Sequence, residues 1–98
     1  MSKTILLVED HDAMRRSLCE WLQLVFPCYR VLEAESGEEA VILAQTTLPH
    51  LVIMDLGLPG MNGIEATSAI QQVAPETRVV MLTIYAVSYT HLTLRRRG

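Results

Sequence analysis

The chain has 98 residues, 50% of them hydrophobic, with a mean hydropathy of +0.26; this allows one domain at most and argues against disorder. The formal net charge is −3, but three of the eight basic residues are Arg95, Arg96 and Arg97. The remainder is therefore clearly acidic, which speaks against a nucleic-acid surface. No apolar run approaches the roughly 20 residues of a membrane span, and Ile5–Val8 is too short for a signal-peptide core, so a cytoplasmic location is expected.

Ile5-Leu6-Leu7-Val8 is a continuous apolar run, the pattern of a strand covered on both faces in a parallel sheet. After Asp12, residues Met14, Leu18, Leu22 and Val25 recur at helical spacing with Trp21 beside them, and Pro27 stops that helix. Tyr29–Glu33 includes Arg30 and is more polar, which places it toward an edge. Ser36-Gly37-Glu38-Glu39 has capping-box spacing and opens a helix carrying Ala40, Val41, Leu43 and Ala44. Leu51–Met54 is the next apolar run. Asn62-Gly63-Ile64-Glu65 repeats the cap-to-Glu spacing ahead of Ile64, Thr67, Ile70 and Val73, and this helix ends before Pro75. Val79–Leu82 is a further apolar run.

The order β-α-β-α-β-α-β predicts an α/β fold with right-handed crossovers. In such open sheets ligands bind beyond the carboxyl ends of the strands, at the topological switch point. Those ends carry Glu9 and Asp10, Asp55, and Thr83. Converging carboxylates repel by about 4 kcal/mol per pair at ~4 Å and an effective dielectric near 20. A hard divalent cation offsets that repulsion, and oxygen donors favour Mg²⁺ or Mn²⁺ over zinc. Cys19 and Cys28 form no CxxC, have no histidine at ligand spacing, and read as buried or idle thiols. His11 reads as a loop residue and His50 as a surface turn residue. Taken singly, Glu9 and Asp10 also fit helix-capping acids, Asp55 a turn residue and Thr83 an ordinary strand residue. Their joint placement on strand ends carries the functional reading.

Glu9-Asp10, then Met54-Asp55-Leu56-Gly57-Leu58-Pro59-Gly60-Met61-Asn62-Gly63, then Met81-Leu82-Thr83 resemble the motifs of two-component response regulator receiver domains in order and spacing. The resemblance covers roughly residues 3 to 86. It implies a flavodoxin-like, doubly wound parallel sheet with strand order 2-1-3-4-5. It implies that Asp55 accepts a phosphoryl group from a sensor histidine kinase. By the same resemblance Asp10 binds Mg²⁺ (or Mn²⁺) directly, Glu9 acts mainly through a coordinated water, and Asp55 and the Gly57 backbone carbonyl complete the metal ligands. Thr83 would donate its hydroxyl to a phosphoryl oxygen and couple phosphorylation to loop position. Chemistry beyond metal-dependent self-phosphorylation and autodephosphorylation is not implied, so the chain is not expected to be an enzyme. Asp10-His11 with Arg15, and Thr83-Ile84-Tyr85, resemble receivers attached to LuxR-type helix-turn-helix output domains. That implies transcriptional output in a longer parent, DNA contact only through the output domain, and dimerisation on phosphorylation.

The family pattern also calls for a fifth strand ending in Lys and carrying an aromatic switch residue, followed by a last helix. The single lysine here is Lys3, at the start of the first strand. Val87-Ser88-Tyr89-Thr90-His91-Leu92-Thr93-Leu94 resembles instead the in-frame translation of a transposon-end sequencing adapter. The receiver is therefore expected over residues 1–86, incomplete, with 87–98 a foreign tail. Such a chain is expected to fold poorly and not to switch, because Val79–Leu82 would lack its outer neighbour. Two other classes compete. A phosphatase of the haloacid-dehalogenase type wants a second Asp two residues after Asp55, where Gly57 stands. A phosphorylation-independent pseudo-receiver is opposed by the intact acids, while the missing fifth-strand Lys leaves it open.

Overall fold

A computed structural model describes residues 3–82. Strands and helices alternate: β1 (Lys3–Val8), α1 (Asp12–Val25), β2 (Tyr29–Ala34), α2 (Gly37–Thr47), β3 (Leu51–Asp55), α3 (Gly63–Val73) and β4 (Arg78–Leu82). The strands form one parallel sheet in the order β2-β1-β3-β4. The chain thus reverses its direction of strand addition between β2 and β3, which makes the boundary of β1 and β3 the switch point. As its arginine predicts, β2 lies at an edge. Thr83, the expected fifth strand and last helix, and the tail 87–98 lie outside the described residues.

The continuous apolar runs are explained by helices on both faces. In β1, Leu6 and Val8 face one core and Ile5 and Leu7 the other. The larger core adds Val52 and Met54 of β3 and the inner residues of α2 and α3: Ala40, Ala44, Ala66 and Ile70. The smaller one adds Cys19 and Leu22 of α1, with Leu51 and Ile53 packed at its margin. Small side chains let α2 and α3 approach closely. At Gly37 an added Cβ would lie 2.6 Å from the Met61 carbonyl oxygen and 3.2 Å from the Ala66 Cβ.

Both helix starts foreseen from cap spacing are present. Asn62 Oδ1 accepts the Glu65 N–H at 2.9 Å and the Glu65 carboxylate accepts the Asn62 N–H at 3.4 Å, a complete capping box. At α2, Ser36 Oγ accepts the Glu39 N–H at 3.1 Å, but the Glu39 carboxylate reaches one residue further back, to the Glu35 N–H at 2.8 Å. The predicted inner faces are displaced in part. Trp21 is 55% exposed, and Val25 and Ile64 also face outward, because Cys19 and Leu22, and Ala66 and Ile70, hold the inward positions. Cys28 is exposed. His50 is exposed as expected, yet it ties strand starts together. Its Nδ1 accepts the Thr4 N–H at 3.2 Å, its own N–H donates to the Thr4 carbonyl, and its carbonyl accepts from Arg78.

Candidate functional site

The register of β1 and β3 pairs Val8 with Met54, so the next residues along each strand, Glu9 and Asp55, leave the sheet side by side. Hydrogen bonding continues past β1, where the Glu9 N–H donates to the Ala34 carbonyl at 3.1 Å, and this fixes the backbone of the acidic pair. The Glu9 side chain is 1% exposed. Its Oε2 accepts the His11 backbone N–H at 3.0 Å and stands 3.3 Å from His11 Nδ1, while its Oε1 is buried without a partner. Asp10 Oδ1 is also buried and makes no hydrogen bond, although His11 Nδ1 lies 3.4 Å away. Burial, then the charge of Asp55 and a contact with Asp10, push the Glu9 carboxyl above its ordinary pKa, against the pull of the His11 N–H. The His11 imidazole is pushed up by Glu9 first and by the charge of Asp10 second.

At the end of β3, Asp55 Oδ1 accepts the Gly57 N–H at 3.1 Å, which orients the carboxylate from the turn that follows. The helix after that turn begins against the same residue. An added Cβ at Gly63 would lie 2.7 Å from the Asp55 carbonyl oxygen and 3.2 Å from the Leu56 Cα. In between, Gly60 has φ +69°, a left-handed conformation natural to glycine. Leu58 anchors the loop as a buried side chain. Leu82 stands opposite Asp55 in the β3–β4 register and its carbonyl accepts the Leu56 N–H at 3.1 Å. Thr83 itself is outside the described residues.

The structure thus brings Glu9, Asp10 and Asp55 to one end of the sheet and sets Gly57 in the turn beside Asp55. It adds two residues that the sequence reading did not place in the site. His11 offers Nδ1 to both acids of the pair; a side chain in a loop has no periodicity to reveal its direction. Arg15 lies in the first turns of α1, 12% exposed at its side chain. Its guanidinium donates to the Glu9 carbonyl at 3.0 Å, Asp12 at 2.8 Å, Glu33 at 3.2 Å and Glu35 at 3.3 Å. In the sequence Arg15 stood out only through the resemblance to receivers with LuxR-type output domains, and its reach to Glu9, Glu33 and Glu35 depends on how α1 packs against β1 and β2.

Two buried carboxylate oxygens without hydrogen-bond partners are costly unless a cation completes them. Ligand atoms of Glu9, Asp10 and His11 all lie within 4.8 Å of one another. The donor set therefore fits a divalent metal ion.

A doubly wound parallel sheet with acids at its switch point defines a flavodoxin-like domain. The chain matches the response regulator receiver domain family over residues 5–96. It is 42% identical, over 96% of its length, to the transcriptional activator protein ExaE of Pseudomonas putida. It is 36% identical over 82% of its length to the response regulator GacA of Pseudomonas protegens. It covers 42% and 38% of those two relatives, so it spans about two fifths of their length. Among solved structures, a LuxR-family two-component response regulator from Aurantimonas sp. SI85-9A1 superimposes with TM-score 0.78 at 38% identity, covering 86% of this chain and 60% of that one. The response regulator domain of Thermotoga maritima CheB does so with TM-score 0.73 at 33% identity, covering 85% of this chain and 61% of that one. The chain belongs to the response regulator receiver domain family. Among the described residues, no helix is long and apolar enough to cross a membrane.

Proposed function

We propose that Asp55 is a phosphoacceptor, charged by a sensor histidine kinase with Mg²⁺ or Mn²⁺ held by Glu9, Asp10, Asp55 and the Gly57 carbonyl. The observation that carries this reading is the convergence of Glu9, Asp10 and Asp55 at the switch point, with buried carboxylate oxygens left bare. A bound divalent cation supplies charge neutralisation and draws phosphoryl oxygens toward a carboxylate. This chain's own residues do the rest. The Gly57 N–H holds Asp55 Oδ1 and so fixes the carboxylate plane, leaving Oδ2 to attack phosphorus. An O–P bond forms on Asp55 as the P–N bond to the donor imidazole breaks. Arg15 holds the Glu9 backbone and so keeps the acidic pair in register with Asp55. Thr83, the residue after Leu82 in sequence, would contact the phosphoryl group and report it.

Relatives named as a transcriptional activator and as response regulators support a signalling role with transcriptional output through a domain outside this chain. DNA contact and dimerisation on phosphorylation belong to that longer parent.

Incubation with a small acyl phosphate, followed by intact-mass measurement, tests the acceptor. One added phosphoryl group is expected with Mg²⁺ or Mn²⁺, none with a chelator, and none in Asp55→Asn. Equal labelling of Asp55→Asn would remove Asp55 from the role.

A further inference from the structure

The geometry points to Gly37, the first residue of α2, as a positioning residue that sets the loop carrying the Gly57 carbonyl against the acidic pair. This rests on the metal-dependent reading above and deepens it. The ligands of that reading come from two segments, Glu9-Asp10 after β1 and Asp55 to Gly57 after β3. Pairing between β1 and β3 ends at Val8 and Met54, so the sheet alone does not hold the two segments together beyond that point. The corner from β2 into α2 does. On one side, the Ala34 carbonyl accepts the Glu9 N–H at 3.1 Å, and Arg15 joins Glu33 and Glu35 to the Glu9 carbonyl. On the other, an added Cβ at Gly37 would lie 2.6 Å from the Met61 carbonyl oxygen, and one at Gly60 would lie 3.4 Å from the Glu38 carboxylate. In the sheet β1 lies between β2 and β3. The corner therefore reaches across β1 and touches both halves of the site.

The corner is braced on both sides of Gly37. Ser36 Oγ accepts the Glu39 N–H, and the Glu39 carboxylate accepts the Glu35 N–H. Backbone conformation does not ask for glycine here: Gly37 has no left-handed φ, and helix preference by itself favours alanine. What Gly37 supplies is room. With a methyl group at 37, helix and loop must part by roughly 0.5 Å or more, as much as a working site tolerates. The obstructing atom is backbone, so no rotamer change relieves it. The displacement cannot pass onward into α3, because the capping box holds Asn62 and Gly63 is already packed against the Asp55 carbonyl. It runs back through Gly60 toward Gly57. Mg²⁺ demands near-ideal octahedral geometry, so a ligand carbonyl moved by that amount weakens the ion's hold. Asp55, still paired opposite Leu82, keeps its place as nucleophile. Metal affinity therefore falls, while the chemistry at saturating metal is kept.

The test follows labelling of the 98-residue chain by a small acyl phosphate as Mg²⁺ is varied, for the parent, Gly37→Ala and Ala44→Gly. Ala44 is a buried residue of the same helix, about 10 Å further along it, and its variant controls for lost stability. Urea midpoints are measured on all three. Gly37→Ala is expected to raise the half-saturating Mg²⁺ by about tenfold, the loss typical of removing a residue that orients a metal ligand. Its plateau rate should stay within about twofold of the parent's, the pattern of lost binding rather than lost chemistry. Ala44→Gly should lower the urea midpoint and leave half-saturation within about twofold. Unchanged half-saturation in Gly37→Ala overturns the proposal, and so does an equal shift in Ala44→Gly. Should Gly37→Ala not fold, Met61→Ala asks the same question from the loop, since Met61 packs half-buried against the larger core and its truncation frees the loop. Half-saturation should then rise by about threefold or more, and an unchanged value overturns the proposal. If the parent shows no Mg²⁺-dependent labelling, the underlying reading fails and this inference with it. Mg²⁺-dependent labelling that Gly37→Ala does not shift sinks this inference alone.

Discussion

At Glu9 burial and charge are in conflict. The side chain is enclosed, one oxygen has no partner, and Asp55 adds negative charge, so the carboxyl titrates above its ordinary range. Between the ordinary carboxylate pKa and the raised folded value, the folded protein holds a proton that the unfolded chain has released. Stability of the metal-free chain therefore falls as pH rises through that window, and the loss stays complete above it. Glu9→Gln removes the charge and keeps the shape. The metal-free variant should be more stable than the parent at neutral pH, equal to it or less stable at low pH, and weaker in Mg²⁺ binding. Urea denaturation at acidic and neutral pH, with a chelator and then with Mg²⁺, measures this. A variant less stable than the parent at neutral pH without metal would show that Glu9 is not under strain from its charge.

The α3 helix and β3 are joined so tightly that their contact leaves no room for a methyl group. Gly63→Ala would drive its Cβ against the Asp55 carbonyl, and backbone cannot swing aside as a side chain can. A loss of about 1–3 kcal/mol is expected, the usual cost of overpacking, visible as a lower urea midpoint at unchanged slope. At the other end of α2, Leu48 sits in the left-handed region with φ 47° and an exposed side chain. Leu48→Gly should therefore stabilise the chain, by about 0.5–1 kcal/mol after the entropy of the added glycine is offset. A lower midpoint in that variant would mean that the Leu48 side chain contributes more than its conformation costs. These elements differ in how legible they were. Strands β1 and β3 were plain because both faces are covered and their apolar runs are unbroken. The edge position of β2 showed through Arg30. Both helix starts were legible through cap spacing. The inner faces of α1 and α3 were read less well, because Cys19 and Ala66 hold positions that a search for large apolar side chains passes over. Asp10 and Asp55 were legible because strand ends in this architecture point to one place. The direction of His11 and the reach of Arg15 depend on side-chain geometry in a loop and across elements, which sequence order does not carry.

Taken whole, the described residues form two cores separated by a sheet. The α2–α3 side is the larger, built around Leu6, Val8, Met54 and Ile70, and the α1 side is built around Ile5, Leu7 and Leu22. Side chains that share no neighbours should contribute independently. Ile5→Val and Ile70→Val, one in each core, are each expected to cost about 0.5–1.5 kcal/mol, and the double variant their sum within about 0.5 kcal/mol. Denaturant melts of the three variants decide it, and a coupling above about 1 kcal/mol would mean that the sheet transmits strain between its faces. The place of β1 between β2 and β3 has a consequence for synthesis. This most thoroughly buried strand leaves the ribosome well ahead of β3, with roughly 40 residues between Val8 and Leu51. At about 5–20 residues per second it waits some 2–8 s for that partner. During that interval Ile5-Leu6-Leu7-Val8 is an open apolar edge on a nascent chain, and the polar β2, which arrives first, covers only one of its two sides. The exposure of β1 to chaperones and to misassociation therefore falls before the acidic site has been completed by Asp55.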